Sequence, residues 1–192
     1  MIKIALDMDS VLADIAPVEC QIIEEVTGKK IGKLHLKQWD WLDLYDLRKD
    51  ISLDKIFRTV WERWFDVHPT EEYLGGKVGE LMLLGQVDIV SANWEDNEQT
   101  NKVMHKNKKE WLTKYHIPYS NLVFVDHNKN KLDLDYDIWI DDSPVNAEAA
   151  VKRGKPLFLY TQPWNMGHDY PFPVERIFSL SDARRLLRTN RI

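Results

Sequence analysis

Two pairs of acidic residues in the sequence are spaced so that each pair could turn into a single pocket. Asp7 and Asp9 follow a short apolar run with one residue between them, and Asp141 and Asp142 follow a second apolar run. Like charges this close repel each other unless a cation or a shared proton relieves them. Either pair alone is also typical of a turn or a helix start. Together, four converging carboxylates favour a hard cation, and Mg²⁺ is the one that works with phosphate groups.

A third run and several lysines could contribute phosphate-binding groups. Ser91 and Ala92 follow the apolar residues 87–90 and offer a hydroxyl and backbone amides, which can bind a phosphoryl oxygen. A single serine in such a place is more often a plain turn residue. Phosphate chemistry also requires a fixed positive charge, and most of the candidate lysines must be solvated surface residues. These candidates are Lys106, Lys108, Lys109, Lys129 and Lys131.

Strands and helices alternate along the chain, and this order predicts how the candidate residues meet. Short runs rich in branched apolar residues predict buried parallel strands, and 3.6-residue periodicity predicts the helices between them. Helices on both faces of a parallel sheet leave the functional crevice at the carboxyl ends of the strands. The predicted strands are 2–6, 87–90, 122–125, 138–140 and 157–160, and the predicted helices are 18–26, 53–64, 76–84, 97–115, one after Pro144, and 181–188.

The stretch between the first two strands, about 70 residues, is too long for a loop. We predict that residues 15–75 form a small helical cap inserted into an α/β core of residues 1–14 and 76–192, with Gly75-Gly76 as the return hinge. Cap aromatics could stack on a base, which is worth ~1–3 kcal/mol per base. Tryptophans at helical spacing are more often the core of the cap itself. The candidates are Trp39, Trp41, Trp61 and Trp64.

Composition restricts the class of protein. With 192 residues and a mass of 22.7 kDa, the chain can bury the core of one domain and carry a small insertion. The net charge of −5 argues against a protein that coats duplex DNA. The first residues reach an acid too soon for a signal peptide and no apolar run approaches membrane-spanning length, so we expect neither a leader nor a membrane span. We therefore expect a cytoplasmic protein that binds a small substrate, with no nucleic acid polymer or membrane as partner. A homodimer is compatible with the sequence.

The motifs together resemble those of the haloacid dehalogenase (HAD) superfamily of aspartate-nucleophile phosphatases. The resemblance covers all four signature regions in order: Asp-x-Asp-x-Val, a strand-end Ser, a Lys and Asp-Asp. It implies an α/β Rossmann-like three-layer sandwich with a parallel sheet and a helical cap after the first strand. Within the superfamily, the chain looks most like the 5′(3′)-deoxyribonucleotidases. The segments that carry this narrower resemblance are Asp-Met-Asp-Ser-Val-Leu-Ala-Asp, Ile-Asp-Asp-Ser-Pro-Val-Asn and Pro-Leu-Phe-Leu-Tyr-Thr-Gln-Pro-Trp-Asn.

The resemblance also implies a role for each motif residue. Asp7 would attack phosphorus and form an aspartyl-phosphate, and Asp9 would act as general acid and then as general base. Mg²⁺ would be held by Asp7, by the backbone carbonyl of Asp9 and by Asp142, with Asp141 in support. The phosphoryl group would be bound at Ser91 and Ala92 and by a lysine, for which Lys131 fits best and Lys108 is the second choice. Ile15 and Trp61 fall at substrate-facing positions of the cap.

Three functions are consistent with these observations. The leading hypothesis is a magnesium-dependent phosphomonoesterase, a 5′-nucleotidase acting on deoxyribonucleoside monophosphates. A second keeps the mechanism and changes the substrate to a sugar phosphate or another small metabolite, because fold and motif do not determine the substrate. A third is a non-catalytic, phosphate-binding regulatory protein. A degenerate binder is expected to have lost Asp7 or Asp9, and this chain retains both.

Overall fold

The computed structural model describes residues 1–93, 98–126 and 130–189. Along the chain the strands are β1 (Ile2–Asp7), β2 (Ala13–Asp14), β3 (His68–Pro69), β4 (Gly85–Ala92), β5 (Asn121–Val125), β6 (Ile138–Asp141), β7 (Leu157–Tyr160) and β8 (Val174–Ile177). Six of them form one parallel sheet in the order β5-β4-β1-β6-β7-β8, and β2 pairs with β3 in an antiparallel ribbon. β1 therefore lies at the centre of the sheet, between β4 and β6.

Helices connect most of these strands. They are α1 (Ala16–Thr27), α2 (Trp41–Leu44), α3 (Leu53–Glu62), α4 (Leu74–Met82), α5 (Glu98–Lys114), α6 (Pro144–Arg153) and α7 (Leu180–Arg188). Their ends follow local sequence signals: Gly28 ends α1 in the left-handed conformation, and the Ser52 hydroxyl accepts a hydrogen bond from the Lys55 amide at the start of α3. No helix of the described residues is long and apolar enough to cross a membrane.

Alternate residues of the central strand face two separate hydrophobic cores. Ile4 and Leu6 pack into the larger core, together with buried residues of α4, α5 and α7, whereas Ala5 packs into the smaller core with Ala147 and Ala150 of α6. A parallel sheet with helices on both faces requires this two-sided burial. The predicted α/β three-layer sandwich is therefore confirmed.

Some elements differ from the sequence-based predictions. β8 was not predicted, because the edge strand Val-Glu-Arg-Ile buries only its two ends and has no continuous apolar run. Gly75 and Gly76 lie within α4 rather than in a connecting hinge. A Cβ atom on Gly75 would lie 2.4 Å from the backbone oxygen of His116, so glycine allows α4 to approach the chain segment that follows α5.

Candidate active site

Three buried carboxylates meet at the carboxyl ends of two neighbouring strands. Asp7 is the last residue of β1, Asp141 is the last residue of β6, and Asp142 follows it. β1 and β6 pair in parallel with Leu6 opposite Ile140, so both strands end at the same edge of the sheet. One oxygen of each carboxylate lies within 4.8 Å of an oxygen of the other two. The sheet order thus brings together acids that are more than 130 residues apart in the sequence.

Lys131 supplies a positive charge to this carboxylate cluster. Its Nζ lies 2.6 Å from Asp7 Oδ1 and 3.5 Å from Asp141 Oδ2. Burial raises the pKa of Asp7 to about 7, opposed by the Lys131 ammonium and assisted by the carboxylates of Asp141 and Asp9. Burial lowers the pKa of Lys131, but the Asp7 and Asp141 carboxylates outweigh that effect and raise it above its usual value. One ammonium therefore faces three acids, and the cluster keeps an excess of acidic groups.

Asp141 and Asp142 are each held by their own hydrogen bonds. Asp141 accepts hydrogen bonds from the Ser143 backbone amide at 2.8 Å and from Asn146 Nδ2 at 2.9 Å. Asp142 accepts one at Oδ2 from Trp164 Nε1 at 2.9 Å. Burial, followed by the charges of Asp141 and Asp7, raises the pKa of Asp142 well above its usual value. The N-cap of α6 is Ser143, so neither acid is needed to cap this helix.

A second ion pair holds the other acid of the first motif. Lys108 Nζ donates hydrogen bonds to Asp9 Oδ2 and to Ser91 Oγ, both at 2.7 Å. Lys108 is fully buried on α5, and its ammonium lies 5.0 Å from the ring centroid of Trp64. Asp9 Oδ1 is buried and has no hydrogen-bond partner among the described residues. Lys108 therefore anchors Asp9 through Oδ2, and the side chain, which is 34% exposed, lines the cavity described below.

A cavity of about 580 Å³ opens above these acids, between the core and residues 15–75. Asp7, Asp9 and Asp142 line it together with Ala92 and Lys131. The rest of its wall is largely apolar and comes from the predicted cap. The cavity-lining residues on that side include Ile15, Trp39, Trp41, Leu53, Phe57 and Trp61. The site therefore combines a charged floor with an aromatic wall.

The predicted tryptophans divide into two groups. Trp39, which is 48% exposed, and the buried Trp41 and Trp61 line the cavity. Trp64 is instead buried in the core, where its ring packs edge-on against Trp111 at a centroid distance of 6.4 Å. Helical spacing alone could not separate these cases, because Trp61 and Trp64 are three residues apart.

The candidate lysines divide into those that contact the acids of the site and those that do not. Lys131 and Lys108 both reach the acids of the first motif. Lys106 and Lys109 are exposed on α5, and Lys129 lies outside the described residues. Ser91 is fully buried and contacts Lys108.

Several residues at the site had not been singled out in the sequence. Asn146 and Trp164 hold the acids of β6, and both lie in segments that carry the resemblance, Ser-Pro-Val-Asn and Gln-Pro-Trp-Asn. Glu19 of α1 also lines the cavity and is buried. Burial and then the charges of Asp9 and Asp14 raise its pKa to about 8. Glu19 lies three and four residues before the buried Ile22 and Ile23, so helical spacing places it on their face of α1 and is the signal that could have identified it.

The residues present fit a divalent cation. The three carboxylates of Asp7, Asp141 and Asp142 provide hard oxygen ligands within reach of one another, and all three are buried. Their combined charge is only partly offset by Lys131. An oxygen-rich, acidic donor set of this kind suits Mg²⁺. The carboxylate of Asp9, which Lys108 binds, is not part of this group.

Comparisons with known proteins agree with this geometry. A family model described as 5′ nucleotidase, deoxy (pyrimidine), cytosolic type C protein matches residues 1–191. A search of curated protein sequences gives no significant match.

Solved structures of HAD-type proteins share the fold. A dehalogenase with an intermediate complex is similar with a TM-score of 0.56 at 11% identity, over 96% of each chain. A subfamily IA HAD-superfamily hydrolase from Geobacter sulfurreducens has a TM-score of 0.52 at 13% identity, over 97% of this chain and 96% of that one. The HAD-hydrolase YfnB from Bacillus subtilis, bound to magnesium, has a TM-score of 0.55 at 11% identity, and the match covers 97% of this chain and 98% of that one. The fold is therefore that of HAD hydrolases.

The raised carboxyl pKa values predict how stability responds to pH in metal-free buffer. The pKa values are about 7 for Asp7 and about 8 for Glu19, so the folded state binds these protons more tightly than the unfolded chain, in which carboxyl groups titrate near ~4. Their contribution to stability is complete below pH ~4 and is lost as the pH rises through about 7 to 8. The change in unfolding free energy can be measured by urea unfolding in the presence of a chelator, at pH values from about 5 to about 8.

The Asp7→Asn variant isolates the contribution of one group. Its unfolding free energy should fall less steeply over this pH range than that of the wild type, because one of the titrating carboxyls has been removed. The surface variant Asp135→Asn, changed at a fully solvated ion pair with Lys3, should follow the wild type. Identical slopes for wild type and Asp7→Asn would contradict the raised pKa of Asp7.

Proposed function

The chain belongs to the family of 5′ nucleotidase, deoxy (pyrimidine), cytosolic type C proteins, and we propose that it hydrolyses deoxyribonucleoside monophosphates through an aspartyl-phosphate on Asp7. Membership makes the chain a phosphoric monoester hydrolase of the 5′-nucleotidase type. The observation that carries the proposal is the buried carboxylate cluster on the floor of an aromatic-walled cavity.

Asp7 is the proposed nucleophile. The Lys131 ammonium, 2.6 Å from Oδ1, and the Met8 amide, 2.7 Å from the same atom, hold its carboxylate in one orientation. A carboxylate oxygen attacks phosphorus, the P–O bond to the substrate alcohol breaks, and the phosphoryl group remains on Asp7. Holding the nucleophile in place before the substrate arrives lowers the entropic part of the barrier.

Asp9 is the proposed general acid and base. Lys108 fixes its Oδ2, and the carboxyl group, which lines the cavity, would give a proton to the departing alkoxide. The resulting carboxylate then takes a proton from water, which attacks the phosphorus of the intermediate. Phosphate leaves, and both acids return to their starting states. Lys108 also donates to Ser91, so the same ammonium would set the position of the hydroxyl that we assign to phosphoryl binding.

Mg²⁺ is the proposed cofactor. Asp7, Asp142 and the backbone carbonyl of Asp9 would hold it, with Asp141 in support. When bound, it supplies positive charge that neutralises the phosphoryl oxygens. Asp141 is suited to a supporting role because the Ser143 amide, Asn146 and Lys131 already occupy its oxygens.

A nucleoside is the proposed leaving alcohol, because the cavity presents several aromatic rings to whatever lies above the acids. The buried Trp41 and Trp61 and the 48% exposed Trp39 line its wall, and an aromatic lining suits a flat, apolar group such as a base. A sugar phosphate is the alternative substrate, since HAD-type folds serve many substrates. The name of the matching family favours the deoxyribonucleotide and also supports a cytosolic location. A homodimer stays a prediction from the sequence.

The first test is hydrolysis of a deoxyribonucleoside 5′-monophosphate with and without Mg²⁺. We expect phosphate release that requires the metal, disappears in Asp7→Asn and falls by about 10²- to 10⁴-fold in Asp9→Asn, which loses the acid and base. Asp135→Asn, at an exposed site, is the control and should retain wild-type activity. Undiminished turnover by Asp7→Asn would contradict the assignment of the nucleophile.

The second test separates a nucleotide from a sugar phosphate. Replacing Trp61 with leucine removes an aromatic surface from the cavity, so kcat/KM for deoxyribonucleoside monophosphates should fall about 5- to 150-fold. Hydrolysis of 2-deoxyribose 5-phosphate, which has no base, should change by less than about twofold. The control is Phe65→Leu, a half-exposed aromatic residue next to Trp64. An equal effect of Trp61→Leu on both substrates would count against base stacking at this ring.

A further inference from the structure

Glu19 is a buried acid in the cavity that the proposed mechanism does not use. It lies on α1, is 4% exposed and lines the cavity with Asp9, Trp41 and Trp61. None of the described residues donates a hydrogen bond to its carboxyl group, and the charges that act on it are Asp9, Asp14 and Lys33. Lys33 itself is paired with Asp14 at 2.9 Å. Glu19 is therefore a largely buried acid on the cavity wall that has no protein hydrogen-bond partner among the described residues.

Packing alone does not explain a glutamate at this position. The neighbouring buried positions of α1 are mainly apolar, including Val18, Ile22 and Ile23. A buried carboxyl without a hydrogen bond costs free energy that a leucine at the same place would avoid. A polar group kept at such a cost inside a ligand cavity is typical of a group that a ligand satisfies.

The surroundings of Glu19 indicate which part of the substrate it faces. Its charge interacts with that of Asp9, the residue assigned to the leaving oxygen, and it shares the cavity wall with the tryptophans. Lys131, Asp7 and Asp142 mark the proposed phosphate end of the cavity, whereas Glu19 belongs to α1, on the side of the tryptophans. Glu19 therefore faces the leaving alcohol. A carboxyl group has an acceptor oxygen whether or not it is protonated, so in either state it can accept a hydrogen bond from the substrate.

We propose that Glu19 determines substrate specificity by accepting a hydrogen bond from an O–H or N–H group of the leaving alcohol. The inference rests on the proposed function and adds to it the requirement for a donor on the substrate. In a nucleotide, that donor is either a sugar hydroxyl or a base N–H. A site with a buried, unpaired acceptor rejects an analogue that lacks the donor, because the acceptor then stays unsatisfied.

The test compares one parent substrate with two analogues that each lack one donor. The substrates are thymidine 5′-monophosphate, its 3′-deoxy analogue without the sugar hydroxyl, and its N3-methyl analogue without the base N–H. The wild type should prefer the parent over one of the analogues by about 10- to 100-fold in kcat/KM. The analogue that is rejected identifies the donor. Equal turnover of all three by the wild type would overturn the inference.

Variants at position 19 assign that preference to the carboxyl group. Glu19→Leu should lose the preference, and Glu19→Gln, which retains a carbonyl acceptor, should keep it. Hydrolysis of p-nitrophenyl phosphate, whose leaving group carries no second donor, should change by less than about twofold in both. The control Glu24→Leu makes the same change on the exposed face of α1 and should retain the preference. Loss of p-nitrophenyl phosphate hydrolysis in parallel with the nucleotide would contradict a role in specificity.

Stability gives an independent measurement. Glu19→Leu should unfold at a higher urea concentration than the wild type at pH 8, because an apolar side chain replaces an unpaired buried carboxyl. A lower midpoint would indicate that Glu19 is structural and would overturn the proposal. If the wild type hydrolyses none of the phosphate esters, the proposed function fails and this inference fails with it. If it hydrolyses them and Glu19→Leu keeps the wild-type preference, only the inference fails.

Discussion

The contact between Lys131 and the carboxylates of Asp7 and Asp141 is the interaction on which the rest of the site depends. It lies where two adjacent parallel strands end, so the sheet order alone determines which acids meet. One ammonium allows Asp7, the proposed nucleophile, to be buried beside Asp141, but it forms no ion pair with Asp142 among the described residues. The remaining charge favours a cation, which explains how one arrangement can serve both a reactive carboxylate and a metal ligand set.

The two acids of the first motif differ because each has its own lysine. Lys131 lies beside the buried Asp7, while Lys108 binds Asp9, which is more exposed, together with Ser91. Asp7 and Asp9, only two residues apart, therefore lie in two different electrostatic environments. Such a separation is the usual way in which one site gives two carboxyl groups different tasks. In the proposed function, the aromatic residues of the cavity wall would decide what kind of alcohol can reach these two groups.

Much of the fold could be predicted because buried parallel strands are continuous apolar runs. Such runs can be recognised in the sequence without knowing which strands pair with each other. β8 could not, since an edge strand buries fewer residues. The acids of the site could be predicted because two pairs of acidic residues, each directly after a predicted strand, are an unusual pattern. Residue type and spacing alone could not separate the lysines, because Lys108 in a basic helix looks like its exposed neighbours until the helix is packed, whereas the family resemblance selected Lys131 and Lys108. Glu19 differs, because its spacing from Ile22 and Ile23 indicates a buried position, and only the cavity beside it requires the assembled structure.

The most direct test of the central claim is to trap the phosphorylated enzyme and locate the modified residue. Acid-quenched protein from a turnover mixture is treated with borohydride, which reduces an aspartyl-phosphate to homoserine, and the peptides are then analysed by mass spectrometry. We predict homoserine at position 7 in the presence of Mg²⁺ and substrate, and none in Asp7→Asn. Turnover that leaves position 7 unmodified, or homoserine at another aspartate, would contradict the assignment of Asp7 as the nucleophile.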